Sequence, residues 1–222
     1  AAAAAANVFM GMTEAPLVVK PFVGRMTNSE MMALMTGGMA TIAGSVMAGY
    51  VRMGVSAGHL LTASVMAAPA ALVIAKMLNP ETETPETRDS VRIEMDQGDV
   101  NLIDAVTRGA SDGMRLALNV AAMLIAFVAL IALVNGIIGF AGITLQQVLG
   151  YLFAPVAFVL GVPTQDIVQV GSLLGQKVVL NEFVAYSSMI TMLDGPTAMD
   201  PRSVTIATFA LAGFANFGSI GI

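Results

Sequence analysis

Between Leu116 and Gln165 the chain runs for 50 residues without one Asp, Glu, Lys or Arg. An apolar helix crosses a bilayer with about 20 residues. The stretch therefore has room for two spans, or for one span and a helix lying in the membrane plane. Met53 to Ala75, with His59 its one titratable group, and Ser203 to Ile222 are likewise free of those four residue types. Strands of a transmembrane barrel alternate apolar and polar positions in short segments, and these runs do not alternate. Only 11% of the 222 residues are charged, against about 25% in an ordinary soluble domain, and 56% are hydrophobic. These observations predict an all-α polytopic membrane protein and exclude a disordered chain. A net charge of −5 argues against nucleic acid as a partner. With no cysteine, disulfides, thiol catalysis and cysteine zinc sites are excluded.

Fourteen of the charged residues lie between Lys76 and Arg115. Asn79 to Glu86 reads as an acidic loop. From Asp99 to Arg115, Leu102, Ile103, Val106, Ala110 and Met114 share one helix face, and Asp104, Arg108, Asp112 and Arg115 share the other. That pattern predicts an amphipathic helix at a membrane surface. It continues into a span over 116–138, and a further helix, kinked at Pro155, follows over 144–161. Upstream, Thr27 and Glu30 have capping-box spacing for a helix reaching about Arg52. Its centre, Thr36 to Ser45, is rich in small residues, and paired glycines there predict close packing or a local break. Gly58 to Leu78 reads as a span. The chain lacks an initiating Met, opens on six alanines and stops without a polar tail, so an internal portion of a longer protein is expected.

Two regions share an unusual order: a short apolar arm, a break holding a glutamate, a second short arm, then a helix with a small-residue centre. The centres Gly38-Met39-Ala40-Thr41-Ile42-Ala43-Gly44 and Gly213-Phe214-Ala215-Asn216-Phe217-Gly218-Ser219 align without gaps. Paired broken helices mark the binding sites of secondary transporters, because lipid cannot satisfy the backbone groups that a break frees. Glu14 and Glu182 stand in such breaks, and an acid inside an apolar arm points to function.

Gly11-Met12-Thr13-Glu14-Ala15-Pro16, Thr36-Gly37-Gly38, Thr41-Ile42-Ala43-Gly44-Ser45, Asn181-Glu182-Phe183-Val184-Ala185-Tyr186 and Gly213-Phe214-Ala215-Asn216-Phe217 together resemble the concentrative nucleoside transporter family, over about its second half. The resemblance implies two re-entrant helical hairpins and two broken transmembrane helices in an inverted repeat, with scaffold and interfacial helices. Residues 1–53 would hold the first hairpin, its leading arm truncated, and a broken helix. A transmembrane helix (54–79), an acidic loop (80–100) and the amphipathic, long and kinked helices (101–163) would follow. The second hairpin and broken helix would occupy 164–222. It further implies a homotrimer in the cell membrane that imports nucleosides by symport with sodium, or alternatively protons, and no other cofactor.

By the same resemblance, Met12, Thr13 and Glu14 face the nucleobase and ribose. Glu182 grips ribose hydroxyls, and Asn216 and Ser219 add ribose contacts. Phe214 packs nearby, and Val46 is an apolar base contact. Asn7, Met10, Thr41 and Ile42 match the sodium site, Met10 and Ile42 through backbone carbonyls. Many family members carry Gln where this chain has Met12. Gln can hydrogen-bond a base edge, whereas Met offers packing and a weak acceptor, which leaves base preference open with a tilt toward purines.

Three other readings compete. Gly54-Val55-Ser56-Ala57-Gly58 with His59 fits a nucleophile elbow and would make an intramembrane serine hydrolase. A non-transporting membrane scaffold would tolerate Gln at both glutamates. Asp96, Asp99, Asn101 and Asp104 could suggest calcium, but the glycine and closing glutamate of an EF-hand loop are lacking.

Overall fold

A computed structural model describes residues 2–12, 15–85, 101–195, 199–217 and 219. Among the described residues every regular element is helical. The chain divides into two compact units, Ala1–Ile93 with Gln146–Ile222, and Glu94–Leu145.

The first unit opens with α1 (Ala2–Ala6), a 3-10 turn over Ala15–Val19, and α2 (Lys20–Val23). Next come α3 (Asn28–Ala40) and α4 (Gly44–Arg52). The expected capping box is present: the Thr27 hydroxyl accepts from the Glu30 amide at 3.2 Å, and the Glu30 carboxylate accepts from the Thr27 amide at 3.2 Å. The helix expected to run to Arg52 is interrupted at its small-residue centre. Thr41 and Ala43 are extended (φ −111°, ψ 158° and φ −63°, ψ 135°).

α5 (Ala57–Leu78) fills the expected third helix. It is the one helix among the described residues long and apolar enough to cross a membrane, by length and composition. Its polar end grips the start of α3. The Ser29 hydroxyl donates to the Asn79 carbonyl (2.6 Å), the Lys76 ammonium to Ser29 Oγ (2.7 Å), and the Thr27 hydroxyl to the Glu81 carboxylate (2.9 Å). The elbow serine is a helix cap. Ser56 Oγ accepts from the His59 backbone amide at 3.4 Å, and the His59 ring lies against Phe209 at 5.7 Å. Ser56 therefore meets His59 through the backbone amide and not through a hydrogen bond to its ring.

α7 (Leu145–Val159) packs against α8 (Ile167–Val179) so closely that a Cβ at Gly171 would lie 2.5 Å from the Gly150 carbonyl oxygen. α8 and α9 (Glu182–Leu193) are joined by Leu180 and Asn181, and Asn181 caps α9 by accepting from the Val184 amide at 2.9 Å. The Ser188 hydroxyl reaches back to Gln176 Oε1 (2.7 Å), so the two helices form a hairpin. α10 (Pro201–Leu211) is held at its start by buried Asp166, which accepts from the Asp200 amide (2.9 Å) and the Ser203 hydroxyl (2.6 Å). Tyr50, Leu60, Leu173, Tyr186, Met189 and Leu211 form the centre of the core.

α10 ends at Leu211, and Ala212 to Asn216 are irregular, although the sequence placed them in the last helix. The gapless repeat alignment is accordingly four residues out of step with the helix ends. α3 ends two residues after Gly38, whereas α10 ends two residues before Gly213. The glycines do different work. Gly38 gives room to Met12, whose Cβ would be 3.3 Å from an added Cβ, while Gly213 has φ +135° and lies where an added Cβ would be 2.9 Å from the Ala40 carbonyl oxygen. Shared residue type here reflects close packing, not a shared backbone position.

The second unit holds α6 (Leu102–Ile138), capped by Asn101 Oδ1 accepting from the Asp104 amide at 2.9 Å. The amphipathic helix and the span read from the sequence are one continuous helix of 37 residues, about 55 Å long. Leu102, Ile103, Val106 and Met114 are exposed. A 3-10 turn over Gly139–Ala141 ends the helix, with Gly142 at φ +73°. The acidic residues Asp96 and Asp99, within the proposed 80–100 loop, lie outside the described residues.

Candidate functional site

The site is built where the two breaks and the α8–α9 hairpin meet inside the first unit. Glu182 opens α9 and is only 3% exposed. Its Oε1 accepts from the Tyr50 hydroxyl at 2.9 Å, and its Oε2 accepts from Asn216 Nδ2 at 3.4 Å. A buried carboxylate is costly unless it is hydrogen-bonded, and here α4 and the segment after α10 supply the donors. Tyr50 is fully buried, its ring 4.7 Å from Tyr186 and 6.0 Å from Phe183. The Tyr186 hydroxyl donates in turn to the Thr208 carbonyl at 2.8 Å. An ionised carboxylate offers about four acceptor positions, so two donors leave capacity for hydroxyl groups of a ligand.

Asn216 and Ser219 brace each other. The Ser219 amide donates to Asn216 Oδ1 (2.9 Å), the Asn216 amide to Ser219 Oγ (3.1 Å), and the Ser219 hydroxyl to the Asn216 carbonyl (2.6 Å). Both are buried. Phe214 is partly buried on the same irregular segment. Val46, on α4, packs against the core cluster that contains Tyr50.

The first break draws on the segment after α1. The Gly44 amide donates to the Phe9 carbonyl at 3.0 Å, and the Ser64 hydroxyl to the Val8 carbonyl at 2.7 Å. Asn7 is 1% exposed, and its side-chain carbonyl oxygen has no hydrogen-bond partner. Its Nδ2 would lie 3.4 Å from a Cβ added at Gly37, and Gly37's carbonyl accepts from the Thr41 hydroxyl at 3.0 Å. Asn7 and Thr41 thus each approach Gly37, one near its Cα hydrogens and the other at its carbonyl. Thr41 and Ile42 are buried, and Met10 is partly exposed. An orphaned buried amide oxygen is the kind of neutral oxygen that a hard monovalent cation takes as a ligand. Among the described residues no group of three His, Asp or Glu could hold a metal ion.

Met12 is half-buried against Gly38. Thr13 and Glu14 lie outside the described residues. Two residues that the motifs did not single out complete the arrangement: Tyr50 on Glu182, and Lys177, whose ammonium donates to the Ala210 carbonyl at 2.9 Å. Lys177 was visible as one of few charges in an apolar arm. Tyr50 carried no local signal.

A helical chain in which the interruption between α3 and α4 and the end of α10 converge on a buried acid has close counterparts among known proteins. Residues 59–222 match the family described as "Na+ dependent nucleoside transporter C-terminus", and the chain belongs to that family. It is 49% identical over 228 residues to "Uncharacterized transporter YutK" of Bacillus subtilis (strain 168), covering 99% of this chain and 56% of that protein. Among solved structures it resembles CNTnw in an inward-facing substrate-bound state, with 50% identity and a TM-score of 0.91, covering 99% of this chain and 53% of that one. It also resembles a CNTnw variant in an outward-facing state, with 49% identity and a TM-score of 0.92, covering 99% and 54%. The chain thus spans about half the length of these proteins.

Proposed function

We propose that this chain forms the transport core of a secondary active transporter that imports nucleosides by cation symport, with sodium favoured over protons. The carrying observation is buried Glu182, set in a helix break, with both oxygens oriented by Tyr50 and Asn216 and acceptor capacity to spare. Glu182 grips ribose hydroxyls, Asn216 and Ser219 add ribose contacts, and Phe214 and Val46 pack against the nucleoside. Met12, Thr13 and Glu14 face base and ribose from the first hairpin. Asn7 and Thr41 offer side-chain oxygens to sodium, and Met10 and Ile42 offer carbonyls. No covalent chemistry is involved.

In this reading α5 and the apolar part of α6 cross the cell membrane, and the segments around Glu14 and Glu182 are re-entrant hairpins in an inverted repeat. The full protein is a homotrimer. Its core alternates between outward- and inward-facing states, as the two CNTnw structures support by their similarity. Burial of the binding groups at helix breaks suits that mechanism, because freed backbone must line a polar cavity.

Uptake of labelled uridine and adenosine into proteoliposomes carrying the full-length protein, with and without an inward sodium gradient, tests the proposal. Sodium-driven accumulation is expected, and absence of uptake under sodium and proton gradients alike refutes it. Adenosine and guanosine competing better than uridine would support the purine tilt from Met12, and uridine winning would end it.

A further inference from the structure

We infer that Lys177 is a tethered cation that does for the broken end of α10 what a dissociable sodium ion does for the broken end of α3. The inference rests on the proposed sodium site at Asn7 and Thr41.

The two regions carry different polar groups ahead of their glutamates, and at different offsets. Counted back from the glutamates, Lys177 stands five residues before Glu182, and Phe9 stands five before Glu14. Seven residues before them stand Gly175 and Asn7. The first repeat thus has an oxygen-bearing side chain where the second has none, and the second has a cation where the first has an apolar ring.

The geometry gives that difference a reason. The last carbonyls of a helix lack intrahelical donors and carry partial negative charge. On α10, Ala210 and Thr208 find donors from the hairpin: the Lys177 ammonium at 2.9 Å and the Tyr186 hydroxyl at 2.8 Å. Neither lies on α10 itself, which has no basic residue in its last turn. On α3, also without a basic residue in its last turn, the Thr41 hydroxyl turns back onto the Gly37 and Gly38 carbonyls at 3.0 and 3.5 Å. That donor is neutral and belongs to the break itself. Asn7, which approaches Gly37, has its buried Oδ1 without a partner.

The consequence is mechanical. α8 and α10 are fastened by a side chain that cannot dissociate, so the second repeat holds its shape through the cycle. The first repeat is fastened only when an ion arrives, which makes its closure the step that sodium controls.

The test is sodium-driven uridine uptake by the full-length protein in proteoliposomes, normalised to reconstituted protein, for Lys177→Met and Lys177→Arg. Met removes the charge at similar length, and Arg retains it. Lys177→Met is expected to lose at least about tenfold in uptake, while Lys177→Arg stays within about threefold of the parent. Lys177→Met behaving like the parent would overturn the inference. So would equal loss in both variants, since packing and not charge would then be at stake. Should Lys177→Met fail to reconstitute, Lys177→Arg decides alone: uptake within threefold upholds the tethered charge, and loss overturns it. A parent that moves no nucleoside refutes the transport proposal itself, whatever the variants do.

Discussion

The two helix breaks differ in what they leave undone. After α3, extended residues that any side chain allows carry the chain across, and the buried oxygen of Asn7 is left without a donor. After α10, Gly213 turns at φ +135° against the Ala40 and Met39 carbonyls, and the polar groups beyond it already satisfy one another. An orphaned acceptor invites a cation. An acid preset by a tyrosine and an asparagine invites a neutral ligand rich in hydroxyls. The difference teaches that one side of the site is kept incomplete while the other is preorganised. The sharpest way to break this contrast is Glu182→Gln, which removes the charge and keeps the shape. Hydrogen bonds to a charged group are worth about 1.5–3 kcal/mol each, so uptake efficiency is expected to fall about 100-fold with protein levels unchanged. Initial rates against uridine concentration would measure it, and retained uptake would return the scaffold reading to favour.

Asn7→Leu attacks the other side. Removing the unpartnered oxygen is expected to raise the sodium concentration for half-maximal uptake about tenfold or more, the scale of one lost ligand bond. Uridine affinity at saturating sodium should move far less. An unchanged sodium curve would remove Asn7 from the ion site. Tyr50→Phe is milder, because the ring stays in its aromatic stack while one donor to Glu182 is lost. A rise in KM of about fivefold, with Vmax within a factor of two, is expected for a positioning residue worth about 1 kcal/mol. A fall in Vmax at constant KM would instead place Tyr50 in the conformational step.

What the sequence revealed, and what it hid, follows the range of each interaction. The capping box at Thr27 and Glu30 was legible because its partners are three residues apart, and α5 because apolar length alone defines it. The break after Ala40 showed in its glycines. The register of the repeat was misread, because Gly38 and Gly213 are small for different reasons, one to admit Met12 and the other to turn the chain. The motifs named Glu182, Asn216 and Asn7 without showing what each touches. Tyr50 was invisible: it reaches Glu182 across 132 residues of sequence, and no periodicity encodes a contact of that range. Lys177 is legible by the same rule as the acids, since a base in an apolar arm is equally anomalous.

The smallest effect concerns the opposite ends of the broken helices, where the contrast persists in milder form. α10 starts on buried Asp166, whereas α3 starts on Glu81, a loop carboxylate at the end of α5. Desolvation, the largest single influence, pushes the Glu81 carboxyl up, but hydrogen bonds from the Thr27 hydroxyl, the Glu83 amide and the Lys76 ammonium, with the Lys76 charge, together outweigh it and hold the group below the ordinary glutamate value. A carboxylate depressed on folding stabilises fully above its unfolded pKa, and the contribution disappears as pH falls through the folded value. The clip between α3 and α5 should therefore loosen only on acidification below the ordinary glutamate range. Amide exchange in the first turn of α3, expressed as a ratio to Glu81→Gln at the same pH, reads this directly. The ratio is expected to show modest protection at neutral pH and to approach one in acid, since salt and solvent screen so open a pair. A ratio of one at neutral pH would mean that Ser29 and Asn79 hold that end of α3 without help from charge.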